Sequence, residues 1–207
     1  MSRITIGVTS FQGDVEEHVL ASRMALGRLG VEGDAIFVKM PEEIERIDAL
    51  IIPGGESTVM GRLAVFSKSL QLIKQRALEG LPVLGTCAGL IMLAKRVYDR
   101  VVGETRQQLI GVLDVTVERN SYGRQRESFE TIIDLPALGV NGFRAVFIRA
   151  PTIIDTGPQV EVIANLADRP VAVVQENIMG TTFHPELSGS TAFHELLVKK
   201  AQRYRKL

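Results

Sequence analysis

The first half of the chain alternates between strand-like and helix-like segments, and this order limits the folds that it can form. Short runs rich in β-branched residues predict strands at residues 4–8, 35–38, 49–52 and 82–85. Apolar residues at helical spacing predict helices at residues 14–29, 67–79 and 90–97. Because strands that alternate with helices form parallel sheets covered on both faces, we expect an α/β fold with a mostly parallel central sheet.

The first predicted helix has the pattern of an amphipathic surface helix. Asp14 stands at the N-cap position and Glu17 follows three residues later, as in a capping box. His18 lies beside two glutamates, which predicts a solvent-exposed side chain. The residues expected to form its buried stripe are Val15, Val19, Leu20, Met24, Leu26 and Leu29.

The second half of the chain is richer in strands. Extended segments are predicted at residues 112–118, 129–133, 145–148, 160–164, 171–175 and 178–183. Short turns at 168–170 and 176–177 link some of them, so antiparallel strands are expected beside the parallel core. A last amphipathic helix is predicted over residues 191–204, with these residues facing inward: Phe193, Leu196, Leu197 and Ala201.

Composition excludes several classes of protein. The 207 residues carry no net charge, which argues against a protein that coats nucleic acid. The longest uncharged stretch, residues 80–94, is shorter than the ~20 apolar residues that a membrane span needs. The N-terminal residues lack the pattern of a signal peptide. A single cysteine cannot form an internal disulfide, so a reducing, cytoplasmic location is expected.

The segment Gly85-Thr86-Cys87-Ala88-Gly89 follows a predicted strand and precedes a predicted helix. This is the setting of a nucleophile elbow, with cysteine in place of serine. Glycines are needed on both sides because side chains would clash in so tight a turn. A helix N-terminus favours thiolate over thiol. The alternative is a buried cysteine that acts as a small hydrophobe.

A cysteine nucleophile needs a base, and the chain has three histidines. His18 and His194 fall inside predicted helices and are expected on the surface. His184 differs, because it ends a strand and Pro185 follows it. Glu186 is two residues further on, near enough to orient the imidazole. The alternative is a strand-end histidine beside an ordinary surface glutamate.

Residues 53–58, Pro-Gly-Gly-Glu-Ser-Thr, directly follow a strand. Beside an elbow, such a loop can donate a backbone N–H group to an oxyanion, with Ala88 as the second donor. The alternative is an ordinary turn in which a serine or threonine caps a helix. The loop lacks the lysine-containing pattern of a phosphate-binding P-loop.

Together these segments resemble the class I glutamine amidotransferases, and within them the glutaminase subunits of pyridoxal 5′-phosphate synthase. The matching strings lie at residues 53–58, 85–91, 118–125, 147–151 and 183–187. The chain departs from the family pattern at residues 9–13 and 188–190, which could alter contacts with a partner. The resemblance implies one flavodoxin-like, three-layer αβα domain over residues 1–207, with added antiparallel strands.

The resemblance also implies hydrolysis of L-glutamine to L-glutamate and ammonia through a thioester. Cys87 would attack the side-chain amide, His184 would move the protons, and Glu186 would orient His184. The oxyanion would be held by the backbone N–H groups of Gly55 and Ala88. No cofactor and no metal ion are expected.

The family's glutamine site maps onto Gly54, Gly55, Glu56, Arg119, Ile148 and Arg149. An arginine suits the substrate carboxylate, and Glu56 could pair with the ammonium group. Ile148 and Arg149 could contribute backbone groups. The alternatives are a surface charge for Glu56 and a solvated strand end for Arg119. Two further arginines, at positions 124 and 126, are expected to serve the loop or an interface.

The partner implied by the resemblance is a separate (β/α)8-barrel subunit that takes up the ammonia; no nucleic acid and no membrane are expected. Partner docking could set the oxyanion donor by turning the Gly54-Gly55 peptide, because glycine accepts either sign of φ. One alternative is a glutaminase subunit of another synthase, such as imidazole glycerol phosphate synthase. Others are a catalytically silent binding module of this fold and a related flavodoxin-like cysteine hydrolase or chaperone.

Overall fold

The structure is a computed structural model that describes residues 3–99, 103–119 and 128–206. The strands are β1 (Ile4–Thr9), β2 (Gly33–Val38), β3 (Ala49–Ile52), β4 (Val83–Thr86), β5 (Ala94–Asp99), β6 (Gly103–Glu104), β7 (Leu113–Arg119), β8 (Phe129–Leu135), β9 (Val140–Phe147), β10 (Thr152–Thr156), β11 (Glu161–Leu166), β12 (Arg169–Gln175) and β13 (Ile178–Thr181). The helices are α1 (Val15–Arg28), α2 (Pro41–Ile44), α3 (Ser57–Phe66), α4 (Ser69–Leu78), α5 (Ala88–Leu93) and α6 (Ala192–Tyr204), with 3-10 turns at Pro136–Leu138 and Pro185–Leu187.

A seven-stranded sheet forms the centre of the molecule, in the order β11-β12-β13-β4-β3-β1-β2. The five strands from β13 to β2 are parallel to their neighbours. Strands β11 and β12 add to the β13 edge as antiparallel neighbours. The expected α/β fold, a mostly parallel sheet with added antiparallel strands, is confirmed.

Each face of this sheet carries its own apolar core. Successive strand residues alternate between the faces: on β3, Leu50 and Ile52 join one core, and Ala49 and Ile51 join the other. The first core contains buried residues of α3, α4 and α5, and the second contains those of α1 and α6. The result is the three-layer arrangement that the resemblance implied.

Two smaller sheets extend these layers. Strands β10-β7-β5-β6 form one sheet, and β8 and β9 form an antiparallel hairpin. The predicted helix at 90–97 is therefore wrong in its second half, because α5 ends at Leu93 and β5 begins at Ala94. Pairing with β7, such as Val97 opposite Val117, decides this segment. A short apolar run does not distinguish helix from strand by itself.

The stripe predicted for α1 is wrong in part. Leu20 is 62% exposed and Met24 is 45% exposed. The residues that α1 buries are instead His18, Val19, Ala21, Ser22, Ala25 and Leu26. Small side chains at helical spacing make this face, since they let the helix approach the rest of the molecule closely.

Other boundaries also differ from the predictions. Helix α3 was not predicted, and the strands β5, β6 and β10 were missed. The turn expected at 168–170 lies one residue earlier, because Ala167 has a φ of 51° and β12 begins at Arg169. Among the described residues, no helix is both long enough and apolar enough to cross a membrane.

Candidate active site

Cys87 lies in the turn between β4 and α5, with φ 50° and ψ −105°. Such a backbone is strained for a residue with a side chain. The glycines on each side are needed for space: a Cβ atom on Gly89 would lie 1.9 Å from the carbonyl oxygen of Ile52. A Cβ atom on Gly85 would lie 2.6 Å from the oxygen of Gly89. The predicted elbow geometry is confirmed.

The central sheet brings His184 beside this elbow. Strands β13 and β4 pair in parallel, with Thr181 opposite Thr86. The backbone N–H group of Cys87 donates to the oxygen of Thr181, at 2.9 Å. His184 therefore stands just beyond the end of β13, next to the end of β4.

His184 and Glu186 form a hydrogen-bonded pair, as predicted. Nδ1 of His184 lies 2.7 Å from Oε1 of Glu186. His184 is 4% exposed, and the Glu186 side chain has no exposed surface. The 3-10 turn that begins at Pro185 folds the carboxylate back onto the ring. A surface glutamate, the alternative interpretation, is contradicted.

Asp14 is a further acidic group at this site, and the sequence analysis missed it. Its Oδ2 lies 3.1 Å from Nδ1 of His184. The predicted capping box is wrong, because Asp14 makes no side-chain cap to α1 and turns towards His184 instead. No local pattern reveals this contact, since the two residues are far apart in sequence.

The charges of this cluster are strongly coupled. Burial alone lowers the pKa of His184, but hydrogen bonds with Asp14, Cys87 and Glu186 outweigh burial and raise the pKa to about 12. The hydrogen bond to His184 lowers the pKa of Asp14. Burial raises the pKa of Glu186, although the hydrogen bond to His184 opposes this shift. The imidazolium form of His184 is thus strongly favoured.

The predictions for His18 and His194 are wrong. Both side chains are 0% exposed and lie at hydrogen-bonding distance from each other behind His184. His18 belongs to the buried face of α1, together with the small residues Ser22 and Ala25. Their spacing of three or four residues was the signal that the sequence offered.

The loop that follows β3 packs against His184. A Cβ atom on Gly54 would lie 2.5 Å from Cε1 of His184, so glycine is required by space. Gly55 has a φ of 135°, which side chains rarely allow. Glu56 caps α3: its carboxylate accepts from the backbone N–H groups of Thr58, at 3.2 Å, and Val59, at 2.7 Å. The alternative interpretation, a serine or threonine cap, is contradicted, because Glu56 is the cap.

A cavity of about 470 Å³ opens above these groups. It is lined by Gln12, Gly13, Asp14, Gly55, Glu56, Ser57, Cys87, Ala88, Ile91, Arg119, Ile148, Arg149, Pro151 and His184. Most of the predicted site residues therefore meet at one cavity. Glu186 and Gly54 stand outside the lining, Glu186 behind the His184 ring.

Arg119 reaches the cavity from the end of β7, and its guanidinium is held in place. Nε lies 3.0 Å from Oδ2 of Asp99, and Nη1 donates to Gln107 at 2.8 Å and to Thr58 at 2.9 Å. Nη2 is 3.8 Å from the carboxylate of Glu56. A solvated strand end, the alternative interpretation of Arg119, is contradicted.

Ile148 and Arg149 close the other side of the cavity. Both are exposed, and Arg149 has a φ of 46°, an uncommon backbone for a residue with a long side chain. The Cys87 thiol lies 3.8 Å from the carbonyl oxygen of Ile148. The arginines at positions 124 and 126, and residues 120–125 of the matching strings, lie outside the described residues.

The sequence and the fold of this chain match those of known proteins. The family model of the SNO glutamine amidotransferase family matches residues 8–203. The chain belongs to the SNO glutamine amidotransferase family. Two curated relatives bear the name pyridoxal 5′-phosphate synthase subunit PdxT. The one from Thermococcus kodakarensis is 50% identical over 200 residues, and the one from Sulfurisphaera tokodaii is 46% identical over 198 residues. Each alignment covers 96% of this chain and 99% of the relative.

Solved structures of glutamine amidotransferases share the fold of this SNO family member. One is 41% identical, with a TM-score of 0.82 and coverage of 95% of this chain and 98% of the other. Another, from Thermotoga maritima, is 16% identical with a TM-score of 0.60, and it supports the fold alone. The alignment covers 100% of this chain and 86% of the other.

Three side chains of the site carry atoms that can ligate a metal ion. Asp14, His184 and Glu186 each bring one potential ligand atom within 4.8 Å of the other two. Both carboxylates already face the Nδ1 proton of His184. Hydrogen bonding therefore accounts for the arrangement of this cluster.

Proposed function

We propose that this chain is the glutaminase subunit of a pyridoxal 5′-phosphate synthase. It hydrolyses L-glutamine to L-glutamate and ammonia and passes the ammonia to a separate (β/α)8-barrel synthase subunit. The observation that carries the proposal is the strained elbow cysteine beside a His184–Glu186 pair, at one cavity, in a chain whose relatives bear that name. A reducing cytoplasm suits the reaction, because Cys87 must remain a free thiol.

The first half of the reaction forms a thioester. The thiolate of Cys87, paired with the imidazolium of His184, attacks the side-chain amide carbon of glutamine. The electron pair of the C=O bond moves to oxygen, and the N–H groups of Gly55 and Ala88 hold the resulting oxyanion. The C–N bond then breaks, and His184 gives its proton to the departing nitrogen, which leaves as ammonia.

The second half regenerates the enzyme. His184, now neutral, removes a proton from water, and the hydroxide attacks the γ-glutamyl thioester. The C–S bond breaks, glutamate forms, and the thiolate of Cys87 again pairs with protonated His184. Glu186 keeps Nδ1 of His184 protonated and holds the ring in one orientation throughout.

The charged groups at the far end of the cavity recognise the α-amino acid end of glutamine. The Arg119 guanidinium binds the α-carboxylate, and the anchoring of this side chain by three neighbours reduces the entropy lost on binding. Glu56 faces the ammonium group while it also caps α3. Ile148 and Arg149 complete the site through backbone groups and shape, and Gly54 supports it by packing against His184.

The test is ammonia release from L-glutamine by the purified chain, with and without the barrel subunit. We expect release that is much faster with the barrel, together with formation of pyridoxal 5′-phosphate. The Cys87→Ala variant, in the same complex, should release ammonia only at background level and should still bind the barrel. Near wild-type release by Cys87→Ala would contradict the assigned nucleophile.

Two further outcomes separate the alternatives. Ammonia release without pyridoxal 5′-phosphate formation would keep the glutaminase chemistry and point to another synthase. No release by the wild-type chain, alone or with the barrel, would overturn the proposal in favour of a silent binding module. Equal release with and without the barrel would contradict partner-controlled setting of the oxyanion donor.

A further inference from the structure

A line of buried polar side chains continues from the His184–Glu186 pair into the protein. Oε2 of Glu186 lies 3.1 Å from Nε2 of His18. Nδ1 of His18 lies 3.0 Å from Nε2 of His194. The same Nε2 of His18 is 3.1 Å from Oγ1 of Thr86, the residue that precedes Cys87. This line joins α1, α6, the end of β4 and the segment after β13.

Burial makes these contacts energetically significant. The side chains of His18 and Glu186 have no exposed surface, and His194 is 0% exposed. A carboxylate in such a place needs donors on both oxygens, because water cannot solvate it. His184 serves Oε1 of Glu186; Oε2 makes no hydrogen bond among the described residues, and Nε2 of His18 lies 3.1 Å from it.

The hydrogen bonds fix the tautomers. Nε2 of His18 forms its hydrogen bond with the Thr86 hydroxyl and lies near Oε2 of Glu186, and an ionised carboxylate only accepts, so Nε2 carries the proton. Nδ1 of His18 is then an acceptor, and Nε2 of His194 donates to it. This leaves Nδ1 of His194 without a proton, and that atom has no hydrogen-bond partner among the described residues. The opposite tautomers would bury an unpaired N–H group, which is less favourable.

Both histidines are neutral in this arrangement. Burial, and then the nearby His194 and His184, lower the pKa of His18 well below its usual value. Burial lowers the pKa of His194 to about 4. They therefore act as oriented hydrogen-bond donors and add no positive charge behind the His184 imidazolium.

We infer that His18 and His194 are positioning residues of the active site: His194 fixes the tautomer of His18, and His18 fixes Glu186, which in turn orients His184. The proposal rests on the proposed function for its kinetic part alone. Neither histidine touches the cavity, so neither contacts substrate. The sequence gives no hint of this role, since His18 and His194 are 176 residues apart.

Among the described residues, few titratable groups face His18. Glu186 and His184 face it from the segment after β13, and His194 faces it from α6. On its own helix, Asp14 stands one turn earlier and contacts His184. Loss of the His18 donor makes the Glu186 carboxylate take up a proton at higher pH. A protonated Glu186 no longer supports the His184 imidazolium.

The test uses two polar replacements of His18 that differ by one methylene group. The amide nitrogen of glutamine can occupy the place of Nε2 beside Glu186 and Thr86, whereas the asparagine side chain is too short to reach that place. Ser22→Ala is the matched control, because Ser22 is buried on the same face of α1, one turn further along, and its hydroxyl makes no hydrogen bond among the described residues. Circular dichroism and thermal unfolding establish that each variant is folded.

The first readout is independent of glutamine: the rate of Cys87 alkylation by iodoacetamide against pH. Cys87 is the single cysteine, so the label reports on the elbow alone. For His18→Asn we expect the profile to move to higher pH by about one unit, the effect of removing one N–H group beside a buried charge. His18→Gln and Ser22→Ala should keep the wild-type profile.

The second readout is steady-state hydrolysis of glutamine by each variant in complex with the barrel subunit. His18→Asn should lower kcat about 10-fold or more and leave KM within a factor of about two, because orientation acts on proton transfer and not on binding. His18→Gln should recover most of kcat. His194→Asn, which leaves the His18–Glu186 contact in place, should give a smaller change in the same direction.

The outcomes are distinct. Folded His18→Asn protein with wild-type alkylation and kcat would overturn the inference and leave His18 a packing residue. Equal defects in the asparagine and glutamine variants would overturn it as well. If His18→Asn does not fold, His194→Asn decides in its place, and an unchanged alkylation profile there contradicts the inference. Loss of glutaminase activity in the wild-type complex would refute the proposed function but would leave the alkylation test valid.

Discussion

At the scale of residues, the sequence predicted the groups proposed to carry out the chemistry. It did not predict the buried residues that contact them. Cys87 follows a strand in a motif of five consecutive residues, and Glu186 lies two residues from His184, so both signals are local in sequence. Asp14 and His18 reach the same cluster across at least 168 residues. Their neighbours in sequence are polar, which made the local pattern resemble a solvated helix start.

Asp14 gives a prediction at this scale. Its carboxylate favours the imidazolium form of His184, so the Asp14→Asn variant should give up the His184 proton more readily. We expect the basic limb of the kcat/KM profile to move to lower pH by about one unit, since Asp14 is partly exposed and its charge is partly screened. The measurement is glutamine hydrolysis by the barrel complex from pH 8 to 12, a range that reaches the His184 pKa of about 12.

The control for this variant is Glu17→Gln. It makes the same change in net charge, three residues along on an exposed part of α1. A long-range effect of charge would shift both profiles equally. An unshifted basic limb in Asp14→Asn would show that Glu186 alone sets the proton affinity of His184.

At the scale of elements, the spacing of apolar residues predicted some strands and helices correctly. The strand at Ala49–Ile52 and the helix at Ala192–Tyr204 were predicted within one residue. Prediction failed at Ala94–Asp99, because pairing with β7 decides its state and that pairing is not encoded in the local spacing. It also failed for α3, which no pattern predicted and which begins after a glutamate cap.

The elbow supplies a prediction for an element. In Gly89→Ala, the new Cβ atom would overlap the carbonyl oxygen of Ile52, so β3 and α5 must separate. We expect a loss of about 2 kcal/mol or more in the free energy of unfolding. Activity should fall together with stability, because Cys87 shares the turn. Urea unfolding and ammonia release measure the two effects.

Gly27→Ala is the matched control. Gly27 is also helical, and a Cβ atom there meets nothing within 4 Å. Alanine should therefore stabilise the protein by about 0.5–1 kcal/mol through its higher helix propensity. If both variants behaved alike, the close approach of α5 to β3 would not explain the need for Gly89.

At the scale of the whole molecule, the sequence predicted the layered α/β architecture but not its second sheet. The parallel order follows from alternating strands and helices, a property of the entire first half of the chain. The β10-β7-β5-β6 sheet joins segments whose pairing is settled only in three dimensions. One domain over residues 1–207 stays a prediction.

Acid stability is a prediction for the whole molecule. His194 is neutral in the folded protein down to a pKa of about 4, whereas in the unfolded chain it binds a proton near pH 6.5. The unfolded state therefore binds more protons between these values, and stability falls as pH decreases through this window. The contribution of His194 is about 3 kcal/mol by pH 4, from about 1.4 kcal/mol per unit.

The measurement is the free energy of unfolding in urea at several pH values from 7.5 to 4. His194→Asn does not titrate in this range, so its stability should decline less steeply than that of the wild type. Asp14 does not obscure the comparison, because its pKa is lowered and its contribution to stability changes below this pH range. Parallel curves for the two proteins would contradict a neutral, buried His194.

The pairing of β13 with β4 sets the distance between the proposed nucleophile, Cys87, and the proposed base, His184. Thr181 and Thr86 face each other across one interstrand spacing of about 4.8 Å, and the base and the nucleophile each follow within three residues. Main-chain hydrogen bonds between the two strands thus fix this distance. Side chains along both strands can change without altering that measure, provided that the register is kept. The relative position of Cys87 and His184 therefore depends on the main chain of these strands and not on their side chains.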